Sequence, residues 1–132
     1  MNAASQTSGG MGIKGPVMKF GTKQFHALGR MKAGSMNKTE ASYAQTLGLL
    51  KKAGDVLWFR FEGLKLRLGD KCFYTPDFAV MRKDGLLECH EVKGYWKDDA
   101  RVKIRVAAEM YPFRFLAVTV GRLGRWETEV FE

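Results

Sequence analysis

Two short segments carry residue types that can do chemistry together: Pro76-Asp77 and, further along, Glu91-Val92-Lys93. Two carboxylates side by side repel unless a cation lies between them, and an all-oxygen, partly hydrated site suits Mg²⁺ or Mn²⁺. A lysine beside such a pair can stabilise charge developing on a phosphate under attack, or help orient and deprotonate a metal-bound water. Those parts suit metal-assisted phosphodiester hydrolysis, provided the fold brings them to one face.

Whether it does depends on a turn. Residues 72–81 and 86–93 read as strands, joined by Lys83, Asp84 and Gly85. Residues directly opposite in an antiparallel pair share a face, and a slip of one residue moves a side chain to the other face. A two-residue Asp84-Gly85 loop sets Asp77 opposite Val92 and separates Asp77 from Glu91. A three-residue loop of Lys83, Asp84 and Gly85 pairs Arg82 with Leu86 and sets Asp77 opposite Glu91. It also wants glycine at its last, left-handed position, which is Gly85. Turn chemistry allows both loops; the second is chosen because it also unites the charges. Asp77, Glu91 and Lys93 then project from one face, the carboxylates about 5 Å apart at Cβ.

The surrounding elements follow from periodicity and caps. Residues 37–52 read as a helix, with Asn37 as N-cap, Tyr43, Leu47 and Leu50 on one stripe, and a stop at Gly54. Residues 56–61 and 64–68 alternate and are β-rich, and Glu62-Gly63 between them suggests a hairpin. A second helix fits residues 98–110, opened by Asp98 and Asp99 at its positive end and closed before Pro112. Residues 113–120 read as a buried strand and 126–131 as a short edge strand.

The chain has 132 residues, 45% of them hydrophobic, which suffices for one compact domain and not for two. Its net charge of +8 points to an anionic partner such as nucleic acid. Residues 1–36 hold five basic side chains, no acid and seven of the 15 glycines, and read as a flexible basic arm before a folded unit at 37–132. No apolar run approaches a membrane span, and the first residues lack the apolar stretch of a secretory signal, so a cytoplasmic protein is expected. Cys72 and Cys89, with only His26 and His90 as companions, offer no zinc spacing and read as reduced thiols.

TPDF followed by HEVKG resembles the signature of the PD-(D/E)XK nuclease superfamily, and the flanking NKTEASYAQTL and EVKGYWKDDARVKIRVA resemble a phage-encoded branch of it. The run Glu91, Val92, Lys93, Gly94, Trp96, Asp99, Arg101 is similar to that of phage endonuclease I, a Holliday-junction resolvase. The resemblance covers roughly residues 38–118. It implies an α/β, restriction-endonuclease-like αβββαβ core, a central mixed sheet flanked by helices, and a Mg²⁺-dependent endodeoxyribonuclease acting on branched DNA in phage replication or recombination. Asp77 and Glu91 would be metal ligands, Val92 would lend its carbonyl, Lys93 would be the catalytic lysine, and Glu40 would bind or orient a metal-bound water. Mn²⁺ is an alternative metal. Cutting two symmetric strands of a junction would call for a homodimer. The rival functions are a sequence-specific restriction-type endonuclease and a non-catalytic DNA-binding accessory protein.

Each residue also has a plainer role. Asn37 and Glu40 have the spacing of a capping box, yet Glu40 shares the stripe of Tyr43 and Leu47, where an unpaired carboxylate is costly. Asp77, Glu91 and Lys93 could form a cross-strand ion pair on a solvated face, but Phe78, Ala79, Val80 and Val92 mark a buried strand. Arg101 and Arg105 share a helical face and could grip phosphates, as could Lys32 and Lys38; a solvated face is the alternative. Tyr95 and Trp96 could stack on a base or anchor core. Lys103 projects elsewhere, toward the edge of the stripe of Ile104, Ala107, Ala108 and Tyr111, and Val102, Val106 and Met110 form a second apolar row that needs a cover or a dimer partner. His90 falls on the face opposite Glu91.

Overall fold

A computed structural model describes residues 34–94 and 98–132. Helix α1 spans Lys38–Ala53, strand β1 Val56–Phe61, β2 Leu66–Gly69, β3 Cys72–Tyr74, β4 Phe78–Arg82 and β5 Leu87–Lys93. Helix α2 follows at Asp98–Met110, then β6 at Arg114–Val120 and β7 at Trp126–Phe131. Five strands form one mixed sheet in the order β1-β4-β5-β6-β7, and β2 with β3 makes a separate two-stranded hairpin. The fold is therefore α/β. No helix among the described residues is long and apolar enough to cross a membrane.

Local chemistry accounts for the ends of α1. The Asn37 side chain accepts from the Glu40 N–H at 2.8 Å while Glu40 Oε1 accepts from the Asn37 N–H at 3.0 Å, a complete capping box. Gly54, at φ 91°, closes the helix in the left-handed conformation, with its N–H on the Lys51 carbonyl. Tyr43 and Leu47 are buried, but Leu50 is 37% exposed: the helix meets the sheet along a shorter stripe than its periodicity implied.

Pairing between β4 and β5 sets Phe78 against His90, Ala79 against Cys89 and Val80 against Glu88. The turn is the three-residue one, Gly85 standing at φ 87° with its N–H on the Arg82 carbonyl. One strand further, β5 runs parallel to β6, with α2 as the crossover. Alternation then sorts the core into two clusters. Even-numbered Phe78, Val80, Val92 and Val118 pack with Tyr43, Leu47 and Val56 under α1. Odd-numbered Cys89, Phe115 and Ala117 pack with Ile104, Ala107, Leu66, Tyr74 and Phe131, between α2 and the hairpin. Fully burying a side chain such as Phe78 or Phe115 stabilises the fold by about 1.5 to 3 kcal/mol.

Two expectations are corrected. β1 does not form a hairpin with β2; it crosses to β4, pairing Phe59 with Val80 and Phe61 with Phe78. The chain turns away at Glu62, which has φ 50° and gives its N–H to the Asp77 carbonyl at 2.7 Å. The run 72–81 is two strands, because Pro76 has no N–H to give a ladder and interrupts the pairing. The second apolar row of α2, expected to be covered or to meet a dimer partner, is uncovered among the described residues, Val102 and Met110 being more than half exposed and Val106 38% exposed.

Candidate active site

Asp77 sits immediately before β4. Continuing the β4–β5 register by one residue sets it across from Glu91, and Asp77 Oδ2 accepts from the Val92 N–H at 2.8 Å. Glu91 is buried, with both oxygens engaged: Oε1 accepts from the Tyr74 hydroxyl at 2.7 Å and Oε2 meets Lys93 Nζ at 3.1 Å. Glu40 reaches the group from the first turn of α1 and hydrogen-bonds with Asp77. The four side chains expected to act together thus share one electrostatic neighbourhood, at the end of the sheet where β5 finishes and β4 begins.

Their charges do not balance. Burial, then the neighbouring Glu91 and, against the pull of the Val92 N–H, Glu40, push the Asp77 carboxyl up to about 8. Burial also raises Glu40, in part offset by its bonds to Asn37 and Asp77. Lys93 loses solvation too, but Glu91, Asp77 and Glu40 outweigh that loss and hold its ammonium above its ordinary range. Among the described residues no three His, Cys, Asp or Glu side chains stand ready to hold a metal ion. The carboxylate oxygens are occupied by Tyr74, Lys93, Val92 and one another.

Other candidates lie apart. Arg101 pairs with Glu129 at 2.7 Å and lies over the Phe131 ring, as Arg105 does, so both arginines serve the junction of α2 with β7. Lys38 is exposed in the first turn of α1. Lys32, Tyr95 and Trp96 lie outside the described residues, as does most of the arm at 1–36. His90, as expected, points away from Glu91: it bonds Tyr43 at 2.7 Å and Glu88 at 2.9 Å on the α1 face. Cys72 is exposed and Cys89 buried, and neither is paired.

Three contributors escaped the sequence reading. Tyr74 reaches Glu91 from the hairpin, and its place directly before Thr75-Pro76-Asp77 was the available signal. Glu62 adds a fourth acid whose carboxyl is raised by burial and by Glu40 and Glu91, although its Oε1 accepts from the Gly34 N–H at 3.1 Å. Lys103 was expected to face elsewhere; it lines a cavity with Glu91 and donates to the Phe73 carbonyl at 3.1 Å. Its position beside β3 depends on a hairpin whose pairing has no local signature.

No family model, curated protein or solved structure matches the chain.

Proposed function

We propose that the chain is a divalent-metal-dependent endodeoxyribonuclease of the PD-(D/E)XK type, with four-way or otherwise branched DNA as its substrate. The observation that carries this reading is the convergence of Asp77 and Glu91 from adjacent strands, with Lys93 and Glu40 beside them, in a half-buried group with more acid than base. The order α1, β1, β4, β5, α2, β6 supports it, since it follows the αβββαβ succession with the β2–β3 hairpin inserted.

Mg²⁺ suits the donor chemistry: Asp77, Glu91 and Glu40 are hard oxygen donors, and although they are not gathered as a ready metal-binding group among the described residues, a cation would relieve their mutual repulsion. Those three residues and the Val92 carbonyl would hold it. Bound there, it supplies Lewis-acid stabilisation of the phosphate's developing charge. Lys93, kept charged by its acidic neighbours, holds a second positive charge at the phosphate. Asp77 must give up its proton on loading, and Tyr74 fixes the direction in which Glu91 presents its oxygens. Symmetric cutting of a junction requires two such sites, and the uncovered row Val102, Val106, Met110 supports a homodimer.

Cleavage of linear duplex, single-stranded, flap and four-way-junction DNA should be compared in Mg²⁺ and Mn²⁺. The junction should be cut fastest, and Asp77→Asn and Lys93→Ala should each lower the rate by about 10²- to 10³-fold. A wild type inert in both metals, or variants that cut as well as it does, would falsify the hydrolase. Discrete plasmid bands independent of branching would replace the junction by a sequence-specific target.

A further inference from the structure

Between β3 and the start of α2 lies an open cavity of about 310 Å³. Glu91 lines it at one end, and Tyr74, Thr75, Asp99 and Lys103 line the rest. Lys103 donates to a backbone carbonyl, that of Phe73, and forms no ion pair among the described residues. Lys103 is thus the one cation among the described residues lining the groove, beside the acids Glu91 and Asp99. Lys65 adds a second cation over the Phe73 ring at 4.7 Å, on the same hairpin rim. The arginines of α2, by contrast, are turned toward Glu129 and Phe131 on β7.

We infer that this groove is a nucleotide subsite, in which Lys103 holds a backbone phosphate next to the one that Glu91 and Lys93 address. The inference rests on the hydrolase reading for the identity of the neighbouring site, but the subsite is a binding site and can be tested without turnover. A cavity of this volume is at the small end of ligand sites and suits one sugar-phosphate unit. The phosphate is assigned to Lys103 as the one cation of the lining, and Tyr74 and Thr75 are left to line the space for sugar. The strand would thus run between the hairpin and α2, away from β7.

The test uses a fluorescein-labelled DNA duplex and a four-way junction, titrated with the full chain in EDTA over a series of KCl concentrations. Lys103→Gln removes the charge but keeps a donor for the Phe73 carbonyl, so the hairpin stays tethered. It should weaken binding about tenfold and lower the slope of log affinity against log salt by about one. Lys103→Arg should restore the slope. Lys83→Gln makes the same charge change at the β4–β5 turn, where Lys83 pairs with Asp55, and should leave the slope unaltered. An unaltered slope for Lys103→Gln in a wild type that cuts DNA overturns the subsite and leaves the hydrolase standing. A lowered slope in a wild type that never cuts leaves the subsite and removes the hydrolase. A chain that neither binds nor cuts DNA removes both.

Discussion

Strand β5 carries two buried polar groups on its opposite faces, and they are built on different terms. On the α1 face, Glu88 meets His90 at 2.9 Å and Arg82 at 3.2 Å, and His90 meets Tyr43 at 2.7 Å. Burial would raise the Glu88 carboxyl, but His90 and Arg82 outweigh it and the acid is held below its ordinary range. Every charge there has its complement. In the other group, Glu40, Asp77, Glu91 and Glu62 outnumber the nearby cations Lys93 and Lys103, and Asp77 is driven up to about 8. Glu88 and Glu91 are buried alike, so burial does not distinguish the two groups; the balance of charge around them does.

That contrast can be broken most directly at Glu40, which belongs to both a capping box and the acidic group. Glu40→Gln keeps a side chain able to accept from Asn37 and so keeps the cap. It should lower Mg²⁺-dependent cleavage about 10- to 100-fold while the melting temperature reports a change within about 0.5 kcal/mol. Undiminished cleavage would reduce Glu40 to a helix-start residue. Tyr43→Phe probes the balanced face. It removes the hydroxyl bonded to buried His90 and should cost about 1 to 3 kcal/mol in chemical denaturation, with cleavage under folded conditions unchanged. A loss of turnover at full folding would show that the two faces are not independent.

A further prediction concerns pH. Asp77 has a folded value of about 8 against an ordinary 3.8, so folding favours its protonated form. The associated stability is fully present below about pH 4 and is lost as pH rises through about 8. Without metal, the melting temperature should fall by several degrees across that window, and the stabilisation given by Mg²⁺ should grow with pH as it displaces the proton. Asp77→Asn should flatten both trends. A metal-free protein whose melting is level from pH 4 to 8 would mean that the acidic face is as well compensated as its neighbour.

Much of this was legible because it is local. Asn37 and Gly54 announced the ends of α1, whereas the turn at Lys83-Asp84-Gly85 allowed two registers and the one that sets Asp77 against Glu91 was chosen because it unites the charges. The parity of β5 then placed His90 and Glu91 on opposite faces. What was misread is non-local. Residues 56–61 and 64–68 alternate as a hairpin should, yet β1 gains more by pairing with β4, where Phe61 meets the fully buried Phe78. Pro76 was a warning that residues 72–81 could not be one internal strand. Because that break was missed, the hairpin was missed, and with it Tyr74 and Lys103 as neighbours of Glu91. The capping reading and the functional reading of Glu40 were posed as rivals, although one carboxylate supplies a cap bond and touches Asp77.

The β2–β3 hairpin forms a ladder only with itself, and bonds such as Tyr111 to the Arg67 carbonyl and Lys103 to the Phe73 carbonyl tie it to the α2 side. It enters between β1 and β4, yet the Glu62 to Asp77 backbone bond and the Lys83–Gly85 turn hold the sheet register on their own. Its turn around residues 70–71 could therefore be lengthened, shortened or exchanged without shifting Asp77 against Glu91, so long as the core residue Leu66 and Tyr74 are kept. The molecule is modular in a useful sense: one part can drift in length and sequence while the part that sets Asp77 against Glu91 stays in place.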